Sequence, residues 1–173
     1  MMKVIAIVGM PGAGKSEVAR LFQKHGFARI RFGDITDAEV KQRGLALNEE
    51  NERWVRELLR EEHGMAAYAV MNRPRIDAAR QEADVVIDGL YSWEEYAFLK
   101  GHYGDSFSVV AVLASPGTRY ARLTVRSERG LTMEDAAARD KAEIENINKG
   151  GPIAMADYAI VNESFLDDLE KET

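Results

Sequence analysis

The feature that most constrains this chain is the segment Gly-Met-Pro-Gly-Ala-Gly-Lys-Ser at residues 9–16. An apolar run precedes it and an amphipathic run follows, which indicates a strand, a tight turn and a helix in series. Glycines allow the backbone to turn and point its amides inward, and the helix N-terminus adds positive potential there. The segment predicts a phosphate-binding loop, called the P-loop below, and therefore a nucleotide site.

Two side chains of the P-loop have predicted roles. Lys15 supplies a positive charge to the terminal phosphates, and the Ser16 hydroxyl is the expected magnesium ligand. The alternative is a purely structural turn with this spacing by chance, which the flanking strand and helix patterns oppose. The residues predicted to bind the nucleotide here are Gly9, Pro11, Gly12, Ala13, Gly14, Lys15, Ser16 and Glu17.

An acidic residue follows the apolar run Val85-Val86-Ile87. Asp88 stands where P-loop proteins keep the carboxylate that orders the magnesium shell. The alternative is an aspartate that only caps the next helix. Because Gly89 then turns the chain, we predict Ser16 and Asp88 as the metal-binding residues.

Apolar β-branched runs alternate with longer runs of helical period, which is typical of an α/β fold with a parallel sheet between helices. The predicted strands are 3–8, 28–32, 84–87, 108–113 and 158–161. The predicted helices are 15–25, 37–43, 49–63, 65–81, 92–102, 116–126, 132–148 and 165–171.

Length and composition restrict the functional class. The 173 residues fit a single domain, and no apolar run is long enough to cross a bilayer. The apolar N-terminal run leads into the P-loop without a cleavage site, so we expect a strand and not a signal peptide. The chain has no cysteine, which suits the cytoplasm. Its net charge of -6 disfavours nucleic acid as a partner.

Within the single domain 1–173, two segments go beyond the short connections that link strands in a minimal α/β fold. Residues 35–82 are mostly helical in pattern and predict an insertion that binds the phosphoryl acceptor. Residues 126–140 are charged and glycine-containing, which predicts a lid that closes over the nucleotide.

Arginines follow the fourth predicted strand. Arg119, Arg122 and Arg126 are spaced by three and four residues, so they are predicted to share one positive helix face. Guanidinium groups bind phosphoryl oxygens well, which makes this face and Arg139 candidate phosphate contacts. The alternative is a solvated face paired with nearby acids.

The acceptor site is predicted from Asp34, Arg73, Arg75 and Gly89. Asp34 follows the second strand at the carboxyl edge of the sheet, where it could orient or deprotonate an acceptor hydroxyl. A helix N-cap is the alternative role. Arg73 and Arg75 suit an anionic acceptor, and surface charges are the equal alternative.

The chain resembles the P-loop nucleotide kinases of the adenylate kinase and dephospho-CoA kinase group, including their archaeal relatives. The resemblance rests on the P-loop, Gly33-Asp34, Ile87-Asp88-Gly89, the 114–126 helix, Arg139-Asp140 and the run Ala-Asp-Tyr-Ala-Ile-Val-Asn at 156–162. The resemblance covers most of the chain, and it rests on the order of these motifs more than on any single motif.

The resemblance implies a three-layer P-loop fold with a five-stranded parallel sheet in the order 2-3-1-4-5. It implies ATP and Mg²⁺ as cofactors, with Arg122 near the adenine and Arg126 and Arg139 on phosphates as the lid closes. Asn162, with Gly150 and Gly151, would line the base pocket. Lys15, Asp34, Arg126 and Arg139 are therefore the predicted catalytic residues.

Two departures from the resemblance concern the acceptor. The family's arginine after Gly-Asp is absent, because Ile35, Thr36 and Asp37 follow Asp34. The family has a second such arginine in an Asp-Gly-x-Pro-Arg run. This chain has no arginine there, because it reads Asp88-Gly-Leu-Tyr-Ser92. The sequence thus predicts a kinase for a small nucleotide-like acceptor, a nucleoside monophosphate or dephospho-CoA, and leaves the acceptor open.

Two other functions compete with this hypothesis. One is a regulatory P-loop ATPase without a small-molecule acceptor, which signals through shape change. For either function we expect a monomer or homodimer. The other is a polynucleotide end kinase, which the acidic balance disfavours. The absence of an Asn-Lys-x-Asp motif weakens a GTPase-type switch.

Overall fold

A single parallel sheet organises the chain in the computed structural model, which describes residues 2–126 and 130–163. Its order, β2-β3-β1-β4-β5, confirms the α/β fold and the strand order implied by the resemblance. Each predicted strand end lies within one residue of the observed one. The strands are β1 (Val4–Val8), β2 (Ala28–Arg31), β3 (Val85–Asp88), β4 (Phe107–Leu113) and β5 (Tyr158–Val161).

Eight α-helices and a 3-10 turn at Gly104–Ser106 connect these strands within the described residues. None of the helices there is long and apolar enough to cross a membrane. The helices are α1 (Lys15–Lys24), α2 (Asp34–Gln42), α3 (Glu49–His63), α4 (Ala67–Ala79), α5 (Trp93–Tyr103), α6 (Pro116–Thr124), α7 (Met133–Ile147) and α8 (Gly150–Ala154).

Helices α2 and α8 differ most from the prediction. Helix α2 begins at Asp34 and not at residue 37, because Gly33 already has helical backbone angles and acidic residues in the first turn favour the helix dipole. Helix α8 was not predicted, since five residues are too few to show a period. The predicted helix 165–171 lies outside the described residues.

The two faces of β1 pack against different helices. Val4, Ala6 and Val8 belong to the larger apolar core, which also contains buried residues of α3, α4 and α5. Ile7 points the other way and packs with Val18 and its neighbours from α1. This alternation is the two-residue period of a strand and produces three layers.

Strand register sets which chain segments meet at the carboxyl edge of the sheet. Asp88, the last residue of β3, is opposite Ile7 of β1 on one side and Arg31 of β2 on the other. The P-loop follows β1 and Asp34 follows β2, so both leave the sheet beside Asp88. This is the edge where open parallel sheets bind ligands.

A buried carboxylate stabilises the start of α5. Glu95 is fully buried, its Oε2 accepts hydrogen bonds from the backbone N–H groups of Tyr91 and Ser92, and Ser92 Oγ accepts one from the Glu95 N–H. Its Oε1 has no hydrogen-bond partner. Burial raises the pKa of Glu95 to about 7, although Arg60 and the two backbone donors oppose the shift.

We expect a Glu95→Gln change to remove a pH dependence of stability. A carboxyl whose folded pKa is raised binds its proton more tightly in the folded state, so stability is lost as pH rises through about 7. Between pH 5 and pH 8 the free energy of unfolding of the wild type should fall by up to about 3 kcal/mol. Urea unfolding of Glu95→Gln should give a flatter profile, and Glu82→Gln, an exposed control, should not.

Candidate functional site

The P-loop has the backbone of a phosphate cradle. Gly12 and Gly14 have φ values of 80° and 100°, in the region that favours glycine. A Cβ at Gly12 would lie 2.6 Å from the Arg119 carbonyl oxygen, and one at Gly14 would collide with the Asn162 side chain. The loop is thus enclosed by α6 and the end of β5, and larger residues at these positions would displace it.

Lys15 lies at the beginning of α1, and its ammonium group donates a hydrogen bond of 3.0 Å to the Met10 carbonyl. Burial lowers the pKa of Lys15 to about 7, and Lys149 lowers it further, whereas the Glu143 and Asp88 carboxylates oppose the shift. A bound phosphate would restore the charged ammonium, since an adjacent anion favours that form.

The two predicted metal-binding residues lie together. Ser16 Oγ donates to Asp88 Oδ1 at 3.3 Å, and Asp88 is almost fully buried. Arg29 of β2, which sequence reasoning missed, donates to the other carboxylate oxygen, with Nε at 3.2 Å. A hydroxyl beside a carboxylate is a pair of hard oxygen ligands, which fits Mg²⁺ that also keeps water and phosphate ligands.

Arg119, which was predicted to share a positive helix face with Arg122 and Arg126, has a buried guanidinium instead. It forms two parallel hydrogen bonds to Asp140 of α7, at 2.9 and 2.6 Å, and donates to the Pro11 carbonyl at 3.1 Å. Tyr120 adds a 3.0 Å hydrogen bond to the same carboxylate. Arg119 therefore joins α7 to the P-loop.

Arg122 and Asn162, which the resemblance places near the adenine base, contact each other beside the P-loop. Arg122 Nη1 donates to the Asn162 carbonyl at 2.9 Å, and Asn162 Nδ2 donates to the Ala13 carbonyl at 2.8 Å. Gly151 lies elsewhere, on α8, where a Cβ would meet the Trp93 ring at 2.8 Å. Gly150 lines a separate small pocket with Gly151 and Trp93.

Arg126 lies beyond the last residue of α6, since that helix ends at Thr124 and not at residue 126. Its side chain is exposed. The middle of the predicted lid, residues 127–129, lies outside the described residues. The remainder of the lid leads into α7, which carries Arg139.

The predicted acceptor residues are only partly brought together. Arg75 donates to Asp34 Oδ2 at 2.9 Å, and Arg31 donates to Asp34 Oδ1 at 3.1 Å. Arg73 faces away and lies 3.9 Å from Asp77. Gly33 is the N-cap of α2 and Asp34 is its first residue, and the Asp34 carboxylate is held by these two arginines. Gly89 has a φ of 101°, and a Cβ at this position would lie 2.7 Å from the Tyr91 hydroxyl oxygen.

A buried charge cluster missed by sequence reasoning lies beside the P-loop. Lys149 is 2% exposed and its ammonium contacts the Glu143 carboxylate. Arg139 Nε donates to the other Glu143 oxygen at 3.1 Å, and Arg139 also lies 3.6 Å from Glu49 of α3. Although burial opposes it, Lys149 and then Arg139 hold the pKa of Glu143 at about 2.

A cavity of about 840 Å³ opens between α3 and α7 and reaches this cluster. Arginines and carboxylates line it together with an apolar patch. The Arg60 Nε is buried there without a hydrogen-bond partner. The lining residues include Glu49, Arg60, Tyr91, Arg139 and Glu143.

Comparison with known proteins identifies related chains. Residues 5–148 match a family described as AAA domain. A UPF0200 protein of Thermococcus kodakarensis is 36% identical over 173 residues, which cover 98% of this chain and 93% of the relative. A UPF0200 protein of Methanococcus maripaludis is also 36% identical, over 98% of this chain and 94% of its own length.

Solved structures with the same fold include kinases. TT1252 from Thermus thermophilus has a TM-score of 0.67 at 24% identity, covering 98% of this chain and 93% of its own. A shikimate kinase from Bacteroides thetaiotaomicron has a TM-score of 0.62 at 16% identity, covering 98% and 92%. A gluconokinase from Sinorhizobium meliloti has 0.59 at 15%, covering 98% and 88%. The fold is that of a P-loop kinase.

Proposed function

This chain belongs to the AAA domain family and to the UPF0200 proteins, and we propose that it is an ATP-dependent small-molecule kinase. The γ-phosphoryl group of ATP passes to a nucleotide-like acceptor, a nucleoside monophosphate or dephospho-CoA. The observation that carries the proposal is the 840 Å³ cavity, which reaches Arg139 and Glu143 and has room for a small molecule.

The P-loop residues supply the donor site. Amides of residues 12–16 cradle the ATP phosphates, and Lys15 neutralises the terminal ones. Mg²⁺, when bound through Ser16 with Asp88 in its outer shell, would offset charge on the phosphates. Arg122 and Asn162 hold the base side of the nucleotide.

The insertion and the lid supply the acceptor side. Asp34, with Arg75 as its partner, is proposed to orient the acceptor hydroxyl, and Arg73 and Gly89 complete the proposed acceptor residues. None of these four residues lines the cavity itself. Residues 35–82 form the acceptor-binding insertion and residues 126–140 form the lid. Arg126 and Arg139 stabilise the transferred group, because guanidinium forks match phosphoryl oxygens. The protein would work in the cytoplasm as a monomer or homodimer.

An acceptor screen tests this function directly. ADP release from ATP and Mg²⁺ is measured alone and with AMP, CMP, adenosine or dephospho-CoA, and with shikimate and gluconate because the fold occurs in kinases with those names. One acceptor should speed release and gain a phosphoryl group. If no acceptor does so while the bound nucleotide changes association with partner proteins, the regulatory ATPase is the better function.

We expect Arg126→Ala to lower acceptor-dependent ADP release by at least about tenfold, through loss of one charge-assisted contact to the phosphoryl group. The affinity for ADP should change little, since ADP lacks that group. Lys100→Ala, which removes an exposed positive charge of α5 outside the insertion and the lid, is the control. Unchanged release in Arg126→Ala would remove this residue from the site.

A further inference from the structure

Arginines of the cavity wall differ in whether an acid binds them. Four arginines line the cavity between α3 and α7, and three of them are ion-paired. The pairs are Arg53–Glu57, Arg56–Glu49 and Arg139–Glu143, with N–O distances of 3.0, 2.7 and 3.1 Å. The fourth, Arg60, makes no hydrogen bond or ion pair with any residue in 2–126 or 130–163, and its Nε is buried.

Glu95 is the acid that acts electrostatically on Arg60, but it does not bind the guanidinium. Its Oε2 accepts hydrogen bonds from the backbone N–H groups of Tyr91 and Ser92, and its Oε1 has no partner. Because the pKa of Glu95 is about 7, this carboxyl carries only part of a negative charge at neutral pH. Glu61, the lining acid next in sequence, is exposed and forms no ion pair with Arg60. Arg60 therefore keeps its charge without a bound counter-ion.

A buried aromatic ring holds Arg60 at the cavity wall. The guanidinium carbon lies 5.2 Å from the centroid of the Tyr68 ring, and Tyr68 is 1% exposed. The Tyr68 hydroxyl is fixed in turn by a 2.6 Å hydrogen bond with Thr36. A guanidinium on a ring face keeps its in-plane N–H donors for a ligand. A buried donor without an acceptor is costly, and a bound anion would remove that cost.

We propose that Arg60 binds the anionic group, a carboxylate or a phosphate, of a small acceptor that occupies the cavity. The inference rests on the proposed function and deepens it, because it names the class of acceptor and the side chain that recognises it. The planar guanidinium matches both oxygen groups in a two-point contact. Arg73 and Arg75, the arginines predicted for the acceptor, do not line the cavity.

The rest of the wall restricts the acceptor further. Apolar side chains from α7 and from the segments before α4 and α7 line the same cavity. They are Met65, Leu131, Ala138, Ala142 and Ile147. The other three lining arginines are already neutralised by acids, so the wall provides for one anionic group and an apolar body.

Tyr91 connects this wall to the carboxyl edge of the sheet. It lines the cavity, and its ring packs edge-on against Tyr68 with 5.8 Å between the centroids. Its hydroxyl lies beside Gly89, which directly follows Asp88 of the proposed metal site. An acceptor with its anion on Arg60 would therefore extend along Tyr91 toward the edge where the donor phosphates bind.

Anion binding with the donor site filled tests the inference without turnover. The protein is saturated with Mg²⁺ and AMP-PNP, a non-hydrolysable ATP analogue, and calorimetry then measures the binding of inorganic phosphate, AMP, shikimate and gluconate. We expect the wild type to bind at least one of these anions. Arg60→Met should weaken that binding about tenfold or more, since a charge-assisted contact is lost. Arg60→Lys should restore part of the affinity, because it keeps the charge without the planar fork.

Two further variants separate a direct contact from the general charge of the wall. Arg53→Met removes a positive charge from the same helix, but that charge is exposed and paired with Glu57, so anion affinity should change by less than about threefold. Lys100→Met removes an exposed charge of α5 and should change nothing. If Arg53→Met weakens anion binding as much as Arg60→Met does, Arg60 is not the binding residue.

Stability separates anion binding from a structural role of Arg60. The guanidinium has no hydrogen bond to lose, so the urea midpoint of Arg60→Met should stay near that of the wild type. Its affinity for AMP-PNP should also stay near the wild-type value. A structural role predicts instead a lower urea midpoint and weaker AMP-PNP binding together with the loss of anion binding, and that result would overturn the inference.

Failure of this inference and failure of the kinase function give different results. If the saturated wild type binds none of the four anions, or if Arg60→Met binds them like the wild type, Arg60 is not an anion site, and the acceptor screen still judges the kinase function. If the wild type does not bind AMP-PNP, the proposed function fails. Shikimate and gluconate titrated without nucleotide then still test whether Arg60 binds a carboxylate.

Discussion

Replacing Lys15 with alanine should lower ATP turnover by about 10²- to 10³-fold, the range found when one preorganised donor to a developing anion is removed. Lys15 begins α1 beside the P-loop glycines, and its ammonium group lies among the charges of Glu143, Lys149 and Asp88. No other side chain of the P-loop carries a positive charge. Steady-state ADP release, with the best acceptor, measures the loss.

The fold should survive this change, because it removes a charge whose burial is unfavourable, as the lowered pKa of Lys15 indicates. Circular dichroism and the urea midpoint check that point. Lys24→Ala, in the exposed last turn of the same helix, is the matched control and should keep wild-type turnover. Wild-type activity in Lys15→Ala would end the assignment of a P-loop kinase.

The second large effect is expected at Asp140. Asp140→Asn leaves the Arg119 guanidinium buried without its charged partner, and breaking one side of a buried pair costs about 3–5 kcal/mol. Arg119 also donates to the Pro11 carbonyl, so nucleotide affinity should fall together with stability. Urea unfolding and ADP titration measure the two effects.

A control and a double variant test whether the loss of stability comes from the buried Arg119–Asp140 pair. Glu145→Gln changes an exposed carboxylate of α7, 3.9 Å from Lys141, and should shift the free energy of unfolding by less than about 0.5 kcal/mol. Arg119→Met with Asp140→Asn should cost less than the sum of the two single changes, because no charge is left unpaired. Additive costs would argue against a direct pair.

The sheet and the P-loop were predictable because their signals are local. The β-branched runs that became β1, β3 and β4 are continuous in the sequence, and the spacing of Gly9, Gly12 and Gly14 specifies a turn within eight residues. The start of α2 was misplaced because glycine at 33 gave no helix signal, although its backbone is helical.

Much of the candidate site was not predictable, because charges gain their roles from partners distant in sequence. Arg119 and Arg122 occupy neighbouring turns of one helix, yet the first pairs with buried Asp140 and the second with Asn162. Asp34 was predicted to face an acceptor hydroxyl, and in the structure its carboxylate is bound by Arg75, which is 41 residues away in sequence. Helical spacing defines a face, and it does not say what that face contacts.

The sequence by itself determined a nucleotide-phosphate loop on a parallel α/β sheet, since glycine spacing and strand periodicity act over a few residues. Tertiary structure alone decided which charged side chains lie together near the P-loop lysine. Lys149 and Glu143 are six residues apart and have no motif around them, and they matter because α7, α8 and the P-loop bury them beside Lys15. Burial and charge pairing are properties of the packed chain, so no local pattern reveals them.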